Sequence, residues 1–131
     1  MGYSEKRKYP RIQAPVPCQV SLGPTVFSTR TRNISCGGAL CRMVYEIPVM
    51  TKLEITLNLP EVDGQSASGP IRCGGVVVRQ EKKTRSKGGK PSYLTAIYFS
   101  DLCQTDRRRI AEFVLQSMLA HRRATSSEIS R

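Results

Sequence analysis

The chain has 131 residues, 21 Lys and Arg against 10 Asp and Glu, a net charge of +11 and 39% hydrophobic residues. That length fits one domain with a modest core, and no run approaches the roughly 18 apolar residues needed to span a bilayer. The charge favours anionic partners (nucleotides, nucleic acid, acidic proteins or anionic lipid) without choosing among them.

Residues 1–15 are basic, contain Pro10 and Pro15 and show no periodicity. They read as a flexible arm, with no apolar stretch of the kind that makes a secretory signal. Cys18, Val20 and Leu22 alternate with polar residues and predict a first half-buried strand. Gly23-Pro24 makes a turn. Val26–Ile34 predicts a second strand, Ser35–Gly38 a turn and Ala39–Val44 a third strand. Leu53, Ile55, Leu57 and Leu59 alternate with Glu54, Thr56 and Asn58, the clearest strand signal in the chain. Residues 60–70 read as a loop. Ile71–Gln80 predicts a long strand in which Gly74-Gly75 marks a bulge or tight bend.

Arg79–Lys90 holds six basic residues in twelve and reads as a solvated hairpin loop, or as a secondary anionic contact. Tyr93–Phe99 is the last predicted strand. Thr105-Asp106 can cap a helix whose stripe is Ile110, Phe113, Val114 and Met118, widened by Leu115 and Leu119. Arg107, Arg108 and Arg109 in its first turn sit at the end of the dipole unfavourable to cations and read as a solvated face. Residues 121–131 read as a disordered polar tail. Six short strands and one helix predict a small antiparallel barrel over residues 16–120.

The five cysteines form no CxxC pair and the chain has one histidine, His121. Buried, reduced thiols in a cytoplasmic protein are expected, and no metal site. The carboxylates are scattered and no Ser-His-Asp set is visible, so no catalytic residues and no enzymatic activity are expected.

Two short patterns carry what chemistry there is. Arg7 and Arg11 stand four residues apart. In a chain with 14 Arg, such a pair arises by chance about once or twice, so it is weak alone. Asn33-x-Ser35-x-x-Gly38 is rarer, with about 0.04 chance matches. An Arg fork can meet phosphate oxygens or guanine O6 and N7, and can stack on a purine. Asn33 can accept from guanine N–H groups and Ser35 can donate to a phosphate or base oxygen. Gly37 and Gly38 allow positive φ and close approach of backbone amides to an anion. The same loop can also be a plain β-turn.

These residues resemble the PilZ family of cyclic di-GMP receptors. Glu5–Arg11 resembles the family's N-terminal arm, Thr31–Leu40 its binding loop, Ile71–Arg79 its fifth strand and Tyr93–Leu102 its last strand. The likeness covers roughly residues 5–119, with Asn33 where Asp is commoner and Ala96 where many members have Gly. It implies a six-stranded antiparallel β-barrel with a C-terminal α-helix. It also implies cyclic di-GMP as ligand, with no further cofactor. The ligand would be held by Arg7, Arg11, Asn33, Ser35 and Gly38, with Lys6, Lys8 and Gly37 as further contacts. The position of Lys6 is associated in the family with whether one ligand or a stacked pair binds. The expected behaviour is a receptor or adaptor, monomer or homodimer, whose arm orders on ligand and signals to an unidentified effector protein. Two alternatives stand beside it: a basic nucleic-acid-binding barrel, against which the lack of Trp and of a visible stacking platform speaks, and a ligand-blind adaptor of the same family.

Overall fold

The structure, a computed structural model, describes residues 10–60, 69–84 and 88–129, with side chains as far as 120. Arg7, Lys6 and Lys8 therefore lie outside the described residues. Six strands, β1 (Pro17–Leu22), β2 (Thr25–Ser35), β3 (Gly38–Met43), β4 (Lys52–Leu57), β5 (Ile71–Lys83) and β6 (Ser92–Phe99), precede one helix, α1 (Gln104–Ile129). The strands close a barrel in the order β1-β2-β3-β6-β5-β4, and every pairing is antiparallel. Closure leaves the sheet without an unpaired edge.

Alternation decides what fills the interior. Leu53, Ile55 and Leu57 of β4 are buried while Glu54 is exposed. Val20, Ile34, Ile71, Val77, Ile97 and Phe99 complete the core from the other strands. Each such side chain contributes about 1.5–3 kcal/mol on burial. The five cysteines are free thiols, four of them buried and Cys103 exposed, with the Cys18 and Cys41 sulfurs 3.9 Å apart in the core.

Two bulges break the alternation. The register of β2 against β3 shifts between Thr31 and Asn33. Arg32 is the extra residue, and the inward positions step from Thr31 to Ile34 rather than to Asn33. That single insertion turns Asn33 and Ser35 away from the interior, where Asn33 is half-buried and Ser35 is buried at 6% exposure. The second shift falls between Val77 and Arg79 of β5, not at Gly74-Gly75 where the sequence suggested it. Those glycines answer a need for space. A Cβ at Gly75 would lie 2.7 Å from Ile97 Cγ2 and 2.8 Å from Ile55 Cδ1. Beside Gly74, whose N–H donates to Asp101 Oδ1, a Cβ would lie 3.1 Å from Ser100 Oγ.

Other boundaries move for physical reasons. β4 ends at Leu57: the Asn58 N–H still donates in register to the Pro17 carbonyl of β1 (3.0 Å), but proline has no N–H to return the bond. β5 continues to Lys83, paired with Ser92, so the first five residues of the basic 79–90 segment are strand rather than loop. The helix starts at Gln104, with the Cys103 carbonyl accepting from the Arg107 N–H (2.9 Å), two residues earlier than a Thr105 cap implies. It runs on to Ile129, through most of the segment read as a tail. No Gly or Pro follows Gln104, and a nucleated helix propagates at little cost until something stops it. Its buried face is shorter than its apolar stripe: Ile110, Phe113 and Val114 are buried, whereas Leu115, Met118 and Leu119 are exposed. No helix among the described residues is long and apolar enough to cross a membrane.

Candidate functional site

The turn joining β2 to β3 sits at the barrel end where β2 stops and β6 gives way to the helix. Ser35 pairs with Gly38 across a two-residue turn, Cys36-Gly37. The Gly37 N–H donates to Ser35 Oγ (3.1 Å), which fixes the hydroxyl as acceptor and leaves its own proton to be donated elsewhere. Phe99 N–H donates to the Gly37 carbonyl (3.0 Å), and Arg107 Nη1 donates to the Cys36 carbonyl (3.3 Å). Both carbonyls of the turn are thus held, one by the last strand and one by the helix. The turn is a braced loop with Asn33, half-buried, at its base.

Neither Gly37 nor Gly38 adopts a positive φ; among the described residues the glycines that do are Gly23, Gly69 and Gly88. Gly38 is required for a different reason. A Cβ there would lie 2.3 Å from the Ile97 carbonyl oxygen, so only a residue without one lets β3 and β6 pair this closely.

The second half of the basic arm is fastened to the same strand. Ile12 and Ile34 form an antiparallel bridge through both their N–H and C=O groups, at 3.1 and 3.0 Å. Antiparallel register then puts Arg11 level with Ser35 and Gln13 level with Asn33. Behind the bridge, Thr31 acts as a clasp. Its Oγ1 donates to the Ala14 carbonyl (2.5 Å) and accepts from the Val16 N–H (2.9 Å), and its own N–H donates to the Val16 carbonyl (3.0 Å). The 1–15 boundary expected for a loose arm therefore falls inside an anchored segment. Residues 12–16 belong to the barrel, and Arg11 is exposed, one residue inside the first described residue, Pro10.

Of the residues singled out in the sequence, Arg11, Asn33, Ser35, Gly37 and Gly38 are brought together here. Two more join them that sequence reasoning passed over. Tyr98, 55% exposed, pairs with Gly38, so Ser35, Gly38 and Tyr98 lie in one row on the outer face. Strict alternation of β6, with Ile97 and Phe99 inward, was the signal that could have found it. Arg107 is the other. It and Arg109 were read as a solvated face, but Arg109 Nη2 donates to the Gly69 carbonyl (2.6 Å) and its Nη1 pairs with Asp106 (3.4 Å). Cations in a first turn are tolerated because they are aimed at carbonyl oxygens of neighbouring loops. Burial, then the Asp101 and Asp106 carboxylates, push the nearby Cys73 thiol up to about 11. Among the described residues no group of His, Cys, Asp or Glu could hold a metal ion.

A closed six-stranded antiparallel barrel with a helix packed at one end, and a braced Asn-x-Ser-x-x-Gly turn beside an anchored arginine arm, defines the class: a small β-barrel domain. The sequence matches the PilZ domain family over residues 5–116, and the chain belongs to that family. No curated protein matches it significantly. Its fold is similar to the PilZ domain of YcgR from Escherichia coli with c-di-GMP, at 17% identity and TM-score 0.68, covering 92% of this chain and 98% of that one. It is similar to the K. pneumonia MrkH–c-di-GMP complex, at 19% identity and TM-score 0.73, covering 91% and 55%. The Bacillus subtilis inhibitor of motility MotI/DgrA matches at 21% identity and TM-score 0.70, covering 88% and 52%. The chain thus spans about half the length of MrkH and of the motility inhibitor. At these identities the likeness carries the fold.

Proposed function

We propose that the protein is a receptor for cyclic di-GMP, which it binds on the outer face of the barrel at the β2–β3 turn. The observation that carries the reading is the Ile12–Ile34 bridge, because it sets Arg11 level with Ser35 of the Asn-x-Ser-x-x-Gly turn. Family membership, and the c-di-GMP held by the YcgR domain and by MrkH, support the choice of ligand.

The chemistry follows from the donor set. Cyclic di-GMP offers two phosphates and two guanines. Asn33 accepts from a guanine N–H edge, with less strength than a charged Asp would give. The free hydroxyl proton of Ser35 is donated to a phosphate or base oxygen. Arg11 supplies a planar fork to phosphate or to guanine O6 and N7. Tyr98 offers a ring face on which a purine can stack. Arg7 adds a second fork, with Lys6 and Lys8 as further cations and Gly37 lending backbone at the turn. Without ligand these cations repel one another. With ligand the charges are neutralised and the arm is drawn onto the barrel, changing the surface presented to a partner protein.

Titration calorimetry with cyclic di-GMP against GTP, GMP and cyclic di-AMP tests the ligand, and binding of cyclic di-GMP alone is expected. Arg11→Ala should weaken binding roughly ten- to hundredfold, a loss of about 1–3 kcal/mol. Unchanged affinity in that variant would remove Arg11 from the site.

A further inference from the structure

The opposite end of the barrel carries a feature that ligand binding does not use. Between β3 and β4, residues 44–50 include four exposed apolar side chains: Val44 (68%), Tyr45 (55%), Val49 (54%) and Met50 (71%). Val26, at the start of β2, and Val78, the bulged residue of β5, are exposed at the same end. Most of the exposed large apolar side chains among the described residues therefore gather on this one end.

The loop that carries them is held rather than loose. Gln80 reaches it from β5: its Oε1 accepts from the Ile47 N–H (2.9 Å), and its Nε2 donates to the Tyr45 carbonyl (3.2 Å) and to buried Thr95 Oγ1 (2.9 Å). Ile47 is buried beneath the loop as a plug. Tyr45 packs on Phe27 with ring centroids 5.0 Å apart. Met50 is the one non-glycine residue among those described with a positive φ, 77°. Its N–H donates to the Val77 carbonyl (2.7 Å), and the Val77 N–H donates to the Thr51 carbonyl (3.0 Å). A backbone conformation that side chains rarely adopt is thus fixed on both sides, and the residue it fixes projects into solvent.

Charge surrounds the tip. Lys52, Arg79, Lys82 and Lys90 are exposed at this end, and Lys83 is paired with Glu81 (3.3 Å); Glu46 and Glu54, the latter in one row with Val26, are the other carboxylates. This is the basic stretch of β5 that the turn site leaves unemployed.

We propose that this end of the barrel docks on an anionic lipid surface, with Val44, Val49 and Met50 entering the headgroup layer and the surrounding cations meeting lipid phosphates. Protruding apolar side chains beside an excess of exposed cations match such a surface in both shape and charge. Tyr45 suits the boundary, with an apolar ring and a polar tip. A second copy fits less well, since its own cations would be brought against these in a chain of net charge +11.

The test uses the full chain and sedimentation with vesicles of phosphatidylcholine containing about one-third phosphatidylglycerol, against phosphatidylcholine alone. Binding to the anionic vesicles is expected. Met50→Glu and Val44→Glu should each weaken it about tenfold or more, and Lys82→Gln about fivefold. All three positions are exposed, so thermal midpoints should not move. The chain has no tryptophan, so Val44→Trp gives a single reporter whose emission should shift to the blue on binding. Three results would overturn the proposal. One is no sedimentation. Another is sedimentation without a blue shift and undiminished by Met50→Glu, which is attraction by net charge alone. The third is self-association in solution that Met50→Glu abolishes, with no vesicle binding, which gives the face to a second copy. None of these readouts depends on cyclic di-GMP.

Discussion

The two ends of the barrel are made from the same six strands and differ in what they leave uncovered. Where β2 ends, the outer face shows a half-buried amide, a tyrosine and an arginine around the buried Ser35 hydroxyl, and the turn's carbonyls are already held by β6 and α1. Where β2 begins, the uncovered groups are aliphatic side chains on a loop fastened by Gln80. Each end has a bulge beside it, Arg32 in one case and Val78 in the other. In both, one inserted residue reverses which side chains face out. A closed barrel fixes its interior by alternation, so a bulge is the cheapest way to change the chemistry of a rim without disturbing the core.

If the two ends are independent, damage to one should leave the other intact. Gly38→Val is the strongest test. Its Cβ meets the Ile97 carbonyl at 2.3 Å, and backbone must move, at a cost of about 1–3 kcal/mol or more. A lowered thermal midpoint and loss of cyclic di-GMP binding are expected by calorimetry, with vesicle binding unchanged in the folded fraction. Loss of vesicle binding as well would join the ends. Thr31→Val should cost roughly 1–3 kcal/mol in denaturant unfolding, because the Val16 N–H and the Ala14 carbonyl lose their partner. Its hydrogen exchange should rise at residues 12–16, with ligand affinity falling in parallel. Arg107→Gln removes the bond to the Cys36 carbonyl and should weaken ligand binding by about fivefold, roughly 1 kcal/mol. Exchange in the first turns of α1 should then cease to respond to ligand. The smallest effect is silent at neutral pH. Cys73 has its thiol raised from 9.0 to about 11 by burial and by Asp101, so folding favours its neutral form. That contribution is complete below pH 9 and is lost as pH rises through 11. Stability should fall over that range, and Cys73→Ala should make the decline shallower.

Much of this was legible in the sequence. Six strands, their order and the barrel class follow from alternation punctuated by turns, clearest in Leu53–Leu57. The Asn33, Ser35 and Gly38 pattern marked the turn. The bulges were not legible: an extra residue such as Arg32 has no compositional signature, and in β5 the glycines drew attention to Gly74-Gly75 when the shift lay at Val78. Nor was the clasp, since Thr31 reads as an ordinary strand residue until Ala14 and Val16 are seen against it. Gly38 was singled out for conformational freedom, but steric exclusion is what selects glycine there. Leu115, Met118 and Leu119 belong to the helical period but lie past the barrel wall, and periodicity cannot say where a neighbouring surface ends.

Anchoring at Ile12 also sets a leash. Arg7 lies five chain steps before that bridge, so it cannot stray more than about 18 Å from it. A ligand seated on the turn meets this arginine as an intramolecular event, at the millimolar effective concentration a short tether provides. Lengthening the leash by a few Gly-Ser pairs between Arg7 and Arg11 would dilute that encounter without altering a single contacting atom.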